Sequence, residues 1–400
     1  MKILHVFSGT APGHIPWCES LIGGLCLEQI RAGNEVTIVA TNANAGGVSD
    51  VPIRVPVDVG GAPVIHYPVV GWLHRLGIGP LARFSVSTEL ARSVSKLIPA
   101  QDVVHVHYAF PFTSVMAARA CRKANVPYVV SLHGNLDPYM QLRRRRRLKQ
   151  FYLWVHGKRM LNRAAAIHLT SEGERQMVDG YGLTAPQKVV ELGIRVPDRM
   201  PSAGSDFRTS HPEIGARRIL LYLGRLSYSK GLDVLAAAFA QIARQREDVH
   251  LVFVGPDDEG YKGVLEAGIA PGVRERVTFT GRVSEKEKFD ALASAEVFVL
   301  PSYTEAFGLA MLEAMASGVP VVLSQQAALA GDLAQAGAVR TTPVTCEGIV
   351  AAVTELLGDE VGRLALASAA KRIAQTRFSW MTTAANMQVL YREAIVGHQA

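Results

Sequence analysis

The sequence predicts an α/β protein built from two doubly wound domains that face each other across a cleft. Short β-rich apolar runs alternate with helical patterns through the first half, the mark of a parallel sheet covered on both faces. The same alternation restarts after a Pro/Ser/Gly-containing stretch near residue 200. Glycine-bearing loops follow several strands, at the carboxyl edge where open α/β sheets bind ligands.

In the first half, Ile3 to Phe7 reads as a buried strand, followed by a glycine-containing loop and a helix from about Pro16 to Arg31. Gly33-Asn34 stops that helix and Glu35 to Ala40 forms the next strand. Further strands are expected over 64–67, 103–107, 127–132, 166–170 and 189–192, with helices near 88–98, 112–123 and 147–163. Pro197 to Ser205 is linker-like. In the second half, strands are expected over 218–223, 249–254, 276–280, 296–300 and 319–323, with helices near 232–246, 285–293, 309–316 and 347–357. The expected domains are 1–197 and 198–378, with a helical segment over 379–400 bracing both.

Forty-eight per cent apolar residues in a chain of 400 suffice for two or three cores. The balance of 42 basic against 35 acidic residues, net +7, suits anionic ligands or surfaces and equally an ordinary basic enzyme. Cys18, Cys26, Cys121 and Cys346 are scattered, with neither metal-ligand spacing nor a disulfide framework, as in a reducing compartment. Met1-Lys2 leads directly into a strand instead of a signal peptide, and no apolar run reaches the roughly 20 residues that cross a bilayer. A cytoplasmic protein is expected, with a peripheral contact at the cytoplasmic face of the inner membrane left open.

The chemistry concentrates in the second half. Gly224-Arg225 follows a strand and Lys230-Gly231 precedes a helix, so two loop cations stand beside a helix N-terminus. That combination suits a diphosphate, with Lys as point charge, Arg as directional fork and amides completing the shell; the alternative is a solvated turn. There is no Walker sequence, and GTAPGH after the first strand is not G-x-G-x-x-G, which weakens phosphate-hydrolysing and nicotinamide readings. The loops at 254–258 and 280–283 follow two further strands, and the latter could meet a nucleobase edge through its backbone.

Pro301 to Val322 changes the balance. Gly308 lets the backbone approach phosphate oxygens at a helix start, and Leu309 and Glu313 share one helix face. A carboxylate cannot favour a diphosphate directly; Glu313 is better used on ribose hydroxyls and Glu305 on sugar hydroxyls. The rival is a hydrolytic carboxylate pair. In the first half, alternation puts His105 and His107 on one face of a strand, and His133-Gly134-Asn135 ends another. His133 is the better site candidate, since an imidazole can bond a sugar hydroxyl or carbonyl; each histidine also reads as a structural one.

GRLSYSKGLDVLAAAF and PSYTEAFGLAMLEAMASGVPVV together resemble the donor loop and E-x7-E segment of retaining glycosyltransferases of family 4, which have the GT-B fold of two Rossmann-like domains. The resemblance covers nearly the whole chain and is strongest from 219 to 323. It implies an acceptor domain over 1–197 and a nucleotide-sugar domain over 198–378. It further implies that Arg225 and Lys230 bind the donor diphosphate, Glu313 holds ribose, and Glu305 with the backbone of Phe307, Gly308 and Leu309 addresses the sugar. The backbone of Gly281, Arg282 and Val283 would receive the base, and His133 would contact the sugar near the reacting centre, as HVH…SLHG resembles the family arrangement. The resemblance implies same-face attack with retention, no metal and no cofactor, the nucleotide-diphosphate sugar being a co-substrate.

Two departures stand out. Gly13-His14-Ile15-Pro16 replaces the family's Gly-Gly loop, leaving Gly13 and His14, with His107 and Asn135, as acceptor-side candidates. Glu191-Leu192-Gly193 replaces Pro-Asn-Gly, and Gly23-Gly24 sits inside a helical pattern. Arg143, Arg144, Arg145, Arg146 and Arg147 precede Phe151, Tyr152 and Trp154, which suits either a solvated helix start or contact with an anionic membrane; no nucleic-acid fold accompanies the charge. The expected activity is transfer of a hexosyl or N-acetylhexosaminyl group from a UDP-sugar to a glycan, glycolipid or small-molecule hydroxyl, with GDP-mannose as alternative donor. A sugar-nucleotide epimerase, a glycoside phosphorylase, and a non-catalytic sugar-nucleotide binding or membrane assembly protein would suit the same folded halves and stand as rival functions.

Overall fold

The computed structural model describes residues 1–9, 16–44, 47–70, 85–139, 150–197, 206–257 and 260–399. The chain divides into two compact units, Met1–Gly193 with Ser379–Ala400, and Ile194–Phe378.

The strands of the first unit are β1 (Lys2–Val6), β2 (Glu35–Thr41), β3 (Ala43–Asn44), β4 (Gly47–Val48), β5 (Pro56–Val59), β6 (Ala62–Tyr67), β7 (Val103–His107), β8 (Tyr128–Ser131), β9 (Ala166–Leu169) and β10 (Gln187–Val189). Eight of them form one sheet in the order β10-β9-β8-β7-β1-β2-β6-β5, with β3 and β4 a separate hairpin. All pairings in the sheet are parallel except β5 with β6. Such a sheet is buried on both faces, and β1, β7, β8 and β9 accordingly carry almost unbroken buried runs. The antiparallel β5 lies outside the expected elements. It is a short edge strand opened by Pro56, with two of its four residues exposed, so it lacks the apolar run that marks its neighbours.

The helical stretch expected from Pro16 to Arg31 forms, with a π-helical turn over Ile22–Cys26. Gly23 and Gly24 are there for packing. A Cβ on Gly23 would stand 2.5 Å from the Gly60 carbonyl oxygen, and one on Gly24 would land 2.1 Å from the Trp380 ring. The last helix, Trp380–Gln399, packs on this segment and on β7 and β8. Thr383 also bonds the Glu191 carbonyl at 2.9 Å, which explains why the chain between β10 and residue 193 is tied to this helix.

The second unit holds β11 (Arg218–Leu223), β12 (Val249–Val254), β13 (Val277–Gly281), β14 (Ala295–Leu300), β15 (Val321–Ser324) and β16 (Arg340–Thr342). They form an all-parallel sheet in the order β13-β12-β11-β14-β15-β16. The order reverses at β11, so the loops after β11 and β14 diverge to opposite sides and leave the crevice in which doubly wound sheets take ligands. β12 is buried along its whole length and β15 likewise. The long helix Glu360–Arg377, not among the expected elements, packs on the helix Leu309–Ala316. Its buried side is made only of Ala367, Ala370 and Ala374, a signal too faint for apolar periodicity.

Candidate active site

The crevice of the second unit is closed at its base by two loops stitched together. After β11 the chain turns through Gly224 and Arg225, with the Arg225 carbonyl accepting a 2.8 Å bond from the Tyr222 hydroxyl. It then reaches Tyr228–Lys230 and enters the helix Leu232–Gln245. After β14 the second loop runs from Pro301 to Gly308. Tyr303 N–H donates to the Ser229 carbonyl at 2.9 Å, and the Tyr228 and Tyr303 rings stack with centroids 5.3 Å apart. Gly231 makes this approach possible. Its φ is 63°, and a Cβ there would lie 2.2 Å from the Pro301 carbonyl oxygen.

Across this junction the Lys230 ammonium donates to a Glu305 carboxylate oxygen at 2.5 Å, both side chains being largely buried. Glu305 is itself fixed through its backbone, whose carbonyl accepts from Ala328 N–H at 2.8 Å. Gly308, at φ 87°, caps the helix Leu309–Ala316 without a side-chain cap, so the helix opens with amides facing outward. Phe307 turns its ring inward against Phe378, centroids 5.9 Å apart, so only its backbone faces the turn.

Glu313 stands one turn further along. Lys288, from the helix Glu285–Ser294, donates to it at 2.7 Å. Burial raises the Glu313 carboxyl above its ordinary value, while Lys288 pulls in the opposite direction. Sequence reasoning missed Lys288, because it follows the charged run Glu285-Lys286-Glu287 and nothing local marks it as a carboxylate partner. The third loop, Gly281 to Val283, follows β13, and the Gly281 carbonyl accepts from Gly255 N–H at 2.9 Å. Arg282 is exposed there and Val283 half-buried.

In the first unit, His133 follows β8 with φ 51°, an uncommon left-handed conformation for a residue with a side chain. Glu174 holds that turn in place. Its carboxylate accepts from the backbone amides of Gly134 and Thr170, each at 2.6 Å, and from the Thr170 hydroxyl at 2.7 Å. Asn135 accepts from Ala109 N–H through its side-chain oxygen at 3.2 Å. Glu174 escaped the sequence reading because an acidic residue in the first turn of a helix, after the N-cap Ser171, looks like ordinary capping.

His107 is fully buried, and its nitrogens lie 3.1 Å from His5 Nδ1 and 3.0 Å from His133 Nε2. His5, His105 and His107 bring ring nitrogens within 4.8 Å of one another. All six of those nitrogens already have hydrogen-bond partners, so the trio is a bonded file, and a cation would have to displace those bonds. The expected positions Gly13, His14 and Arg143 to Arg147 lie outside the described residues.

Residues 217–359 match the family model described as glycosyl transferases group 1, and residues 19–193 match the glycosyl transferase 4-like domain. The chain belongs to the GT-B glycosyltransferases of group 1. The glycosyltransferase is 27% identical over 364 residues to the phosphatidyl-myo-inositol mannosyltransferase of Mycolicibacterium smegmatis, covering 90% of this chain and 86% of that one. It is 31% identical over 198 residues to a glycogen synthase of Mycobacterium tuberculosis, 48% of this chain and 46% of that one. Among solved structures, sucrose-phosphate synthase from Thermosynechococcus elongatus superposes with TM-score 0.73 at 20% identity, covering 99% and 100% of the two chains. Anabaena HepE in complex with UDP-glucose gives TM-score 0.73 at 21% identity, covering 98% and 99%. The enzyme therefore shares their fold, and its activity is glycosyl transfer.

Proposed function

We propose that the enzyme transfers a hexosyl or N-acetylhexosaminyl group, with retained anomeric configuration, from a UDP-sugar to a hydroxyl of a glycan, glycolipid or small molecule. The observation that carries this reading is the Lys230–Glu305 ion pair at the reversal point of the second sheet, beside the uncapped helix start at Gly308. A diphosphate entering there replaces Glu305 as the counterion of Lys230, with Arg225 adding a second cation and the helix amides the remaining donors. Glu305, released, accepts hydrogen bonds from sugar hydroxyls. Glu313 accepts from the ribose, and Lys288 neutralises it so that its charge does not repel the diphosphate. The base meets the backbone from Gly281 to Val283. As the sugar–phosphate bond breaks, charge builds on the leaving diphosphate, where the Lys and Arg donors favour it most, and a phosphate oxygen takes the proton of the attacking hydroxyl.

Mannosyl transfer from GDP-mannose is the second reading, supported by the mannosyltransferase named above, which matches over most of both chains. A peripheral contact with an anionic membrane fits a surface of the first unit. Phe151 and Trp154 are 62% and 74% exposed, and Arg119, Arg122 and Arg159 line an adjoining groove. Tyr152 packs inward near Phe110 instead. Among the described residues no helix is long and apolar enough to cross a membrane. The deciding experiment is a nucleotide-sugar panel screened by thermal shift and hydrolysis, followed by acceptor screening and assignment of the product anomer by NMR. Acceptor-dependent transfer with retention supports the proposal; epimerisation without acceptor, phosphorolysis of a glycoside, or tight binding without turnover would replace it.

A further inference from the structure

Six buried side chains of the first unit have no part in the site as described: His5, Gln29, His105, Ser131, His168 and Tyr391. With His107 they form one unbroken file of hydrogen bonds from the Val190 carbonyl to His133. His168 Nε2 lies 2.8 Å from the Val190 oxygen, and His168 Nδ1 lies 2.5 Å from Ser131 Oγ. Ser131 Oγ is 2.5 Å from His105 Nε2, and His105 Nδ1 is 2.6 Å from the Tyr391 hydroxyl. The Gln29 side chain joins that hydroxyl at 3.3 Å to His5 Nε2 at 2.8 Å. His5 Nδ1, His107 and His133 complete the file at 3.1 and 3.0 Å.

The carbonyl at the far end can only accept, and that fixes every proton. His168 must carry its hydrogen on Nε2, so its Nδ1 accepts the Ser131 hydroxyl proton. Ser131 oxygen then accepts from His105 Nε2–H, and His105 Nδ1 accepts from the Tyr391 hydroxyl. Tyr391 oxygen accepts from the Gln29 amide nitrogen, which turns the Gln29 carbonyl toward His5 Nε2–H. His5 Nδ1 accepts from His107 Nε2–H, and His107 Nδ1 accepts from His133 Nε2–H. The scheme needs neutral rings, and mutual burial keeps them so: His5 and His168 are lowered to about 4, and His105, His107 and His133 lie well below their ordinary value, burial being the first cause in each.

We propose that this file is a polarity relay that sets the tautomer of His133, so that its buried Nδ1 acts only as a hydrogen-bond acceptor, which suits a hydroxyl or N–H donor and disfavours a carbonyl or phosphate oxygen. Ser131 and Tyr391 are then positioning residues, acting through His133. The inference rests on the reading of His133 as a catalytic residue, but its core is tested without turnover. Histidine labelled with ¹⁵N reports the tautomer of each ring by NMR, with His133→Gln assigning the signal. The wild-type enzyme should hold His133 as the single Nε2–H tautomer. Ser131→Ala and Tyr391→Phe each cut the file and should leave His133 as a mixture of tautomers, with kcat lowered about tenfold and donor KM changed by no more than about twofold. Ser131→Thr, which restores the hydroxyl, should return the tautomer and kcat together. An Nδ1–H tautomer in the wild type, or an unchanged tautomer in both cut variants, overturns the relay. Wild-type turnover in His133→Ala would instead remove His133 from catalysis while leaving the tautomer result standing.

Discussion

Lys230 and Glu305, 75 residues apart in sequence, meet at 2.5 Å where the loops after β11 and β14 join. Each is therefore held by the charge that the other would have to give up when a donor binds. On the proposed function, the site is preformed in geometry and self-neutralised in charge, and a diphosphate would compete with one carboxylate for one ammonium.

Removing the ammonium should weaken the grip on the diphosphate itself. In Lys230→Ala, UDP affinity measured by calorimetry should fall about 10- to 100-fold, the range for a charge-assisted hydrogen bond. An unchanged Kd would place the diphosphate elsewhere.

Glu313 depends on Lys288 for its charge balance. Lys288→Met keeps the aliphatic stem and leaves the carboxylate without its cation, and should cost about 1–3 kcal/mol in urea unfolding of the unliganded enzyme. Glu313→Gln in the same background should recover part of that loss. Additive losses in the double variant would show that the two side chains do not interact.

At Gly231 the backbone conformation and the contact with Pro301 act together. Gly231→Ala should destabilise the enzyme by about 2 kcal/mol or more and weaken UDP binding, because the two loops can no longer close on each other. Unfolding curves and UDP titrations equal to wild type would contradict that role.

The buried histidines give the first unit a definite acid response. Their folded values are depressed, to about 4 for His5 and His168, against about 6.5 in an unfolded chain. Below 6.5 the unfolded state binds more protons than the folded one, so stability rises with pH over that window and is lost as pH falls from about 6.5 toward 4. Each such histidine contributes up to about 1.4 kcal/mol per pH unit. Urea midpoints that stay constant between pH 7 and 5.5 would mean that the rings are already charged in the fold.

Much of the second unit was legible in sequence because its chemistry is local. ILLYLG ends in a glycine turn, LDVLAAAF opens a helix with apolar periodicity, and Glu305 and Glu313 flank a Phe-Gly-Leu turn within one short segment. The partners of those carboxylates were not legible, since Lys288 reaches Glu313 from a separate helix and Lys230 reaches Glu305 across the sheet reversal. The histidine file is the extreme case. His5 and His105 become neighbours only through the parallel register of β1 with β7, and Tyr391 bonds His105 from 286 residues away. Likewise, the Gly23-Gly24 pair reads as a helix weakness until Trp380 is seen to need the space.

The exchange at Lys230 separates binding from catalysis in one variant. Glu305→Gln removes the competing charge but keeps the side chain's length. Measured side by side on the purified enzyme with its identified donor and acceptor, UDP affinity should stay at or above the wild-type value while kcat for transfer falls about 100-fold or more. Wild-type turnover in Glu305→Gln, or loss of UDP binding in proportion to the loss of rate, is incompatible with that exchange.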